Sequence, residues 1–400
     1  MRTKLGHCLE RAAEIYFPFQ PRKRRAHPSP VAQEINLVII PKDGTQDFWK
    51  TVHSGASQAA LDFLDQGVQI RFSWKDPGSE EDYRRQLQFL EEARNDQVSG
   101  IVLGPLDSRS LVPSVNKLIR AKIPVLIIDS ALESEQIVSF VASDNFGAGN
   151  LAASYLGHLL NGTGKVILLR QLHNSASTED RAKGFLSTMQ RDFPDTEILC
   201  DTEFAGGTFE TAYLTSKSLL KRLRPGANGI FTVNELASGG MLLALQEAGL
   251  TKDEVKFVGF DTNQTLLENL RNGAIQGLVV QDPFAIGYLG VKTLVDALQG
   301  NLVAPKAITH SRLLTANGVT RQATPKDSIF ELTTGRRVRT SLTPREVEVL
   351  HWVRQGKRDS EIALILGIST RTAETHVSRI LQKLSVETRT AAAMWREFTR

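Results

Sequence analysis

Cysteine is nearly missing: the 400-residue chain has two, Cys8 and Cys200. They lie too far apart in sequence to build a disulfide framework or a zinc site with the usual paired spacing, and a reducing compartment fits such usage. The 8 histidines are scattered and suggest no metal cluster. No apolar run approaches the roughly 18 residues that a membrane span needs. Nor does the amino terminus hold the unbroken apolar stretch, roughly 7–15 residues, of a secretory signal. LGHCLERAAEIYF is interrupted by His7, Glu10, Arg11 and Glu14. The expectation is a cytoplasmic protein that does not engage a membrane.

The common marks of catalysis are missing as well. The sequence has no HExxH, no GxSxG and no carboxylate pair at a fixed scaffold spacing. NGTGKV at Asn161 has the look of a phosphate loop. However, Leu159 stands where the first glycine belongs, and Val166 replaces the hydroxyl residue that holds magnesium. A non-enzymatic protein without a cofactor is expected.

What is present is the composition of a soluble globular chain, 41% apolar and 23% charged, and too long for one ordinary core. Its net charge of +4 is unevenly spread. Residues 1–30 carry 7 Lys/Arg against 2 Asp/Glu and residues 336–400 carry 13 against 7, which leaves the body between them at −7. A basic end on an acidic body is what a separate polyanion-binding domain gives.

Four zones follow from the pattern. Residues 1–33, with PRKRR and HPSP, form a basic, proline-broken lead-in, and 319–339 form a linker with Pro325 and the basic run GRRVR. Between them, over 34–318, short aliphatic runs alternate with segments of helical period. The runs are INLVII, VQIRF, GIVLG, IPVLIID, KVILL, GIFTV and VKFVGFD. Phe48–Leu64, Glu80–Glu92, Gly147–Leu160 and Thr208–Leu223 are among the segments between them. That alternation predicts an α/β fold of parallel sheets with helices on both faces. Its length, and a series that restarts near Lys165, predict two similar lobes joined by crossing segments. Residues 340–400 form the last zone.

In open parallel sheets ligands sit beyond the carboxyl ends of the strands. Gln46, Phe48 and Trp49 follow the first run, and Asp129, Asn234, Asp261 and Gln281 each end a later one. Carboxylates and amides together accept and donate, as a polyol's hydroxyls require, and aromatic rings offer a flat face to the C–H side of a sugar. Singly, such residues serve as turns, caps or core. Their recurrence at the same end of five strands points to a site.

The stretches IPKDGTQDFWKTVHSGA, IPVLIIDSAL, FVASDNFGAGNLAA, STEDRAKGF, FTVNELASGG and VGFDTNQTLLENLRNGAIQGLVVQDPFAIGYLGVK resemble the type I periplasmic sugar-binding proteins of the ribose-binding-like group. The resemblance runs collinearly over about 280 residues and implies the two-lobed fold of that group. By it, Phe48 and Trp49 stack on a sugar, while Gln46, Asp129, Asn234, Asp261 and Gln281 bond its hydroxyls. Ser130 and Glu179 occupy two further ligand positions where ribose-type members carry arginine, which argues against ribose itself. Arg181 is then a structural residue of its helix.

The last zone reads SEIALILGISTRTAETHVSRI from Ser360. On a helix, Ala373, Val377, Ile380, Leu381 and Leu384 share one face, and the opposite face carries Arg371, Thr372, Thr375, Ser378, Arg379, Gln382 and Lys383. Asp359 or Ser360 is placed to cap the preceding helix, with Gly367 turning the chain out of it. Thr343-Pro344-Arg345-Glu346 starts a further helix, followed by the stripe Val347, Leu350 and Val353. This is the helix-turn-helix plan, whose last helix enters the major groove. LTPREVEVLHWVRQGKRDSEIALILGISTRTAETHVSRILQKLSVETRTAA resembles the LuxR/GerE-type DNA-binding domain over nearly its whole length. The resemblance implies base contacts from Thr375 and Ser378, phosphate contacts from Arg371, Arg379 and Lys383, and a dimer contact near Thr388 to Arg396. Ser360 and Glu374 replace basic residues common in relatives, and Glu374 is placed to favour a cytosine amino group. The sequence as a whole reads as a homodimeric transcription regulator that takes a sugar or polyol effector, binds operator DNA and contacts RNA polymerase. The alternative is the solute-binding component of a sugar ABC transport system.

Overall fold

A computed structural model of the chain describes residues 33–318, 344–383 and 389, apart from 65, 135, 224, 225, 355, 356 and 367. The lead-in, the linker, Thr343, Gly367, Leu384 and nearly all of the expected fourth helix near Thr388 to Arg396 therefore lie outside the described residues, as does the side chain of Val347.

The first lobe opens with β1 (Gln33–Ile40), α1 (Asp47–Leu64), β2 (Val68–Trp74), α2 (Tyr83–Asn95), β3 (Gly100–Leu103), α3 (Val112–Arg120), β4 (Val125–Ile128) and β5 (Phe140–Ser143). The chain then crosses to the second lobe for α4 (Asn145–Leu159), β6 (Gly164–Leu169), α5 (Ala176–Asp192), β7 (Thr196–Cys200), α6 (Phe209–Leu223), β8 (Gly229–Thr232), α7 (Glu235–Glu247), β9 (Lys256–Phe260), α8 (Gln264–Arg271) and β10 (Gly277–Val280). A second crossing returns α9 (Pro283–Leu298) and β11 (Lys306–Thr309) to the first lobe. A third sends β12 (Arg312–Leu314) to the second.

The sheets run β11-β5-β4-β3-β1-β2 and β12-β10-β9-β8-β6-β7. The strand pairings are parallel except that of β10 with β12. The central strands β3, β4, β8 and β10 are buried along their whole length, as strands covered on both faces must be. Each lobe therefore has two cores. In the first, Trp49, Val52, Ile286 and Leu294 fill the side of α1 and α9, and Leu90, Leu111, Val115 and Leu118 the side of α2 and α3. In the second, Ala152, Leu156 and Phe185 fill the side of α4 and α5, and Leu219, Met241, Leu245 and Leu266 that of α6, α7 and α8.

The expected strands and helices form, with ends shifted by a few residues. The largest shift is in α2, which starts at Tyr83 rather than Glu80 because Asp82 caps it, accepting from the Arg85 N–H at 2.9 Å. Glu80 is thereby left in a loop that folds back over the strand ends. The strand β7 (TEILC) was not foreseen: with Thr196 and Glu197 it lacks the apolar run of its neighbours.

The C-terminal helices are α10 (Pro344–Arg354), α11 (Asp359–Leu366) and α12 (Thr370–Lys383). They share a small core of Val349, Leu350, Val353, Ile362, Ala363, Ala373, Val377 and Ile380. Among the described residues no helix is long and apolar enough to cross a membrane.

Candidate functional site

Residues from both lobes meet around a narrow cavity beyond the carboxyl ends of the strands. The first lobe contributes Lys42, Gln46, Phe48, Trp49, Glu80 and Asp129, and the second Gln171, Ser177, Thr178, Arg181, Asn234, Asp261 and Gln281. Seven of the nine residues singled out from the sequence are thus brought together.

The aromatic wall comes from the first turn of α1. Phe48 and Trp49 are buried and meet edge to face, with ring centroids 5.1 Å apart at 85°. Trp49 lies over Gly104, where a Cβ would sit 2.6 Å from the ring, so only glycine leaves it room. In the loop before α1, Asp43 accepts from the Thr45 N–H (2.6 Å) and hydroxyl (2.9 Å) and from the Gln46 amide (3.1 Å).

The charged floor is a network joining the lobes. Lys42 Nζ stands 2.8 Å from Asp129 Oδ2, 3.1 Å from the Ser177 hydroxyl and 3.4 Å from that of Ser175. Glu80 accepts from Gln46 Nε2 of its own lobe at 2.6 Å and from Gln171 Nε2 of the other. Burial raises the Glu80 carboxyl above its ordinary range. The Arg181 guanidinium donates to Asn145 Oδ1 and the Val233 carbonyl, both at 2.9 Å, and lies 3.9 Å from Asp129 Oδ1. It also stacks 4.0 Å over Phe260.

Asp129 and Asp261 take left-handed backbone conformations, φ 63° and 61°, immediately after β4 and β9. Few residues tolerate this region, though Asp and Asn do so best, and such strain gathers at functional positions. Gln281 Nε2 donates to Asp261 Oδ1 at 2.8 Å. Burial pushes the Asp261 carboxyl up to about 6 against the pull of Arg181. Asn234 does cap α7, accepting from the Ala237 N–H at 3.1 Å, so the cap and the cavity share one side chain. Glu235 beside it is buried and pushed up to about 7 by that burial.

Two of the nine stand elsewhere. Glu179 pairs with Arg170 at 2.7 Å and does not line the cavity, because Ser177, Thr178 and Arg181 occupy the face of α5 that does. Ser130 is buried behind the cavity, where its hydroxyl accepts from the Ser177 N–H at 2.9 Å and joins the lobes. Arg181, read from sequence as structural only, does line the cavity while holding the loops around it. Lys42, Glu80, Gln171, Ser177 and Thr178 were missed. Lys42 and Gln171 each sit two residues past a strand end and were within reach of the strand-end rule. Glu80, six residues past β2, carries no local signal.

At the C-terminal side, Arg371, Thr372, Glu374, Thr375, Ser378 and Arg379 are all exposed along α12, opposite its buried Ala373, Val377 and Ile380. Gln382 and Lys383 lie on the same helix, their side chains outside the described set. Ser369 begins α12, its hydroxyl accepting from the Thr372 N–H at 3.1 Å. Ser360 is exposed in the first turn of α11. Neither it nor Asp359 caps that helix: Glu361 reaches back to the Arg358 N–H at 2.8 Å, and Asp359 pairs with Arg389. Arg345 donates to the Leu366 carbonyl at 2.7 Å and so ties the start of α10 to the end of α11.

The chain is similar to known proteins over two stretches. Residues 340–396 match the bacterial regulatory proteins of the luxR family. The ribose import binding protein RbsB of Bacillus subtilis is 25% identical over 225 residues, 56% of this chain and 71% of that one. The D-allose-binding periplasmic protein of Escherichia coli is 26% identical over 67% of this chain and 86% of its own. A carbohydrate transporter solute binding protein from Agrobacterium radiobacter, solved with D-arabinose, superposes with a TM-score of 0.66 at 30% identity, covering 71% of this chain and 95% of that one. Residues 37–302 match the periplasmic binding protein domain, and with two thirds of its length inside that match the chain belongs to this family.

Proposed function

We propose that the protein is a ligand-responsive transcription regulator, which binds a sugar or polyol in the cleft between its lobes and operator DNA through α12. What carries the reading is the union in one chain of a buried cavity rich in carboxylates and amides with a helix whose exposed face is basic and hydroxyl-bearing. In the cleft, Phe48 and Trp49 stack on the ring, and Gln46, Asp129, Asn234, Asp261 and Gln281 bond the hydroxyls. On DNA, Thr375 and Ser378 reach base edges and Arg371 and Arg379 the phosphates. The protein works in the cytoplasm as a homodimer, the symmetry that a two-half-site operator requires, and contacts RNA polymerase.

A ligand that touches both lobes favours their closed arrangement by its extra contacts. Coupling of about 1–3 kcal/mol between the cleft and DNA alters operator affinity by roughly 5- to 150-fold. Linkage requires the same factor in reverse. The test is calorimetry of a sugar found by thermal-shift screening, with and without saturating operator selected from random DNA. Equal affinities in the two titrations would refute coupling. On the same operator, Arg379→Ala should flatten the salt dependence of binding by about one unit.

Two of the named relatives are an import binding protein and a transporter solute binding protein, which favours a transport role as the second reading. Recovery of the protein from a periplasmic extract rather than from cytosol would support it.

A further inference from the structure

The ionisable groups of the cleft are unequally committed. Among the described residues two cations face it, Lys42 and Arg181, 3% and 2% exposed. Lys42 has spent its donors on the protein, and Arg181 has given it two of its five. Lys42 points its ammonium at Asp129, Ser175 and Ser177, and Arg181 bonds Asn145 and the Val233 carbonyl and turns its remaining edge to Asp129. The one cationic edge left over is that of Arg181, and Asp129 already stands 3.9 Å from it.

Acceptors are in surplus. Three buried carboxylates line the cavity, Glu80, Asp129 and Asp261, and Glu235 is buried beside Asp261. Against two cations this leaves the pocket short of positive charge whenever all four are ionised. A second, independent observation marks where the shortage is felt. Gln281, 2% exposed, gives its amide N–H to Asp261 and leaves its own buried Oε1 without any partner. A buried acceptor without a donor is costly, and this one belongs to the side chain that bonds Asp261.

We propose that the cleft selects a polyol bearing an amino group, an amino sugar or amino alditol, whose ammonium is received between Asp261 and Gln281, and that it rejects sugar phosphates and sugar acids. An ammonium has three donors and no acceptor, so it satisfies both groups at once. A neutral hydroxyl supplies one proton to two acceptors, and a phosphate or carboxylate supplies none and meets repulsion. This inference rests on the reading of the cleft as a polyol site and narrows it.

The raised carboxyls of Asp261, Glu235 and Glu80 add a signature. A bound cation favours their ionised forms, so an amine should bind with release of protons near pH 6, and its affinity should rise from pH 5 to pH 7. Lys42, Arg181, Asp129, Asp43 and Asp47 are the other charged groups that act on these carboxyls.

The experiment is calorimetry on the full chain with matched sets: glucosamine, glucose, glucose 6-phosphate and gluconate; galactosamine, galactose and galacturonate; glucamine and sorbitol. At least one amine should bind tenfold or more tighter than its neutral counterpart, with proton release seen as a buffer-dependent heat, and the anions should not bind. In Asp261→Asn, a replacement suited to the left-handed backbone, the preference for the amine should fall about tenfold while neutral counterparts change less. A neutral member that binds as tightly as its amine overturns the inference and leaves the polyol site standing. Failure of every member to bind overturns both.

Discussion

The two lobes repeat one plan, and the repetition is close enough to compare residue with residue. β4 and β9 hold the same place in the two sheet orders, and Asp129 and Asp261 follow them with nearly the same φ. The N–H of Asp129 donates to the Val141 carbonyl at 2.9 Å, and that of Asp261 to the Val279 carbonyl at 2.8 Å. The helix pairs match too. A Cβ on Gly55 of α1 would strike the Phe284 carbonyl oxygen of α9, and one on Gly287 of α9 that of Val52. In the second lobe a Cβ on Gly184 of α5 would strike the Phe146 carbonyl oxygen of α4, and one on Gly149 of α4 that of Arg181. Against so similar a frame the difference is electrostatic. Asp129 has Lys42 at 2.8 Å and Arg181 at 3.9 Å, whereas Asp261 has the Gln281 amide at 2.8 Å and shares the field of Arg181. Equivalent backbones therefore present unequal carboxylates, one paired with a buried lysine and one bonded to an amide.

Removing the shared cation should break the comparison most severely. Arg181→Ala leaves buried carboxylates of both lobes short of their partner and should cost about 3–5 kcal/mol in urea unfolding. A loss below about 1 kcal/mol would mean that Lys42 alone balances the cleft.

The next effect is one of pH. The Asp261 carboxyl stands raised to about 6 from 3.8, so its contribution to stability is full below about pH 4 and lost as pH rises through 6. Asp261→Asn should therefore be more stable than the parent by about 2–3 kcal/mol at pH 7.5, with the gap closing toward pH 4. Parallel pH profiles of urea midpoints for the two proteins would contradict this.

Smallest, and sharpest as a comparison, are the glycines. Gly287→Ala and Gly149→Ala should each cost about 1–3 kcal/mol through overpacking. Only Gly149→Ala, which presses on the backbone of Arg181, should also weaken ligand binding in calorimetry. Equal losses of affinity in both variants would show that the lobes transmit strain to the cleft alike.

The sequence made this frame legible where period and position coincide. Apolar runs marked most central strands because these are covered on both faces, and the strand-end rule found Asp129, Asn234, Asp261 and Gln281. It missed Glu80 because the loop after β2 returns to the cleft only through tertiary packing. It passed over Lys42 because a buried lysine is rare without a partner, and the partner, Asp129, lies 87 positions further along the chain. Glu179 was misplaced for a related reason: its orientation depends on Arg170, which no spacing in α5 announces. In α12 the periodic face was readable throughout, since a short helix on a small core obeys its local pattern.

The crossings between lobes have a consequence for synthesis. Ile286, Val291, Leu294 and Val295 of α9 belong to the core of the first lobe, and β11 pairs with β5. On the ribosome the first lobe therefore waits, with β5 an unpaired edge and α1 uncovered, until residue 309 has been made. At about 5–20 residues per second that wait lasts roughly ten to thirty seconds after β5 emerges. The second lobe, whose strands β6 to β10 are contiguous, comes nearly complete in the interval, so the half that begins the chain is the later to finish.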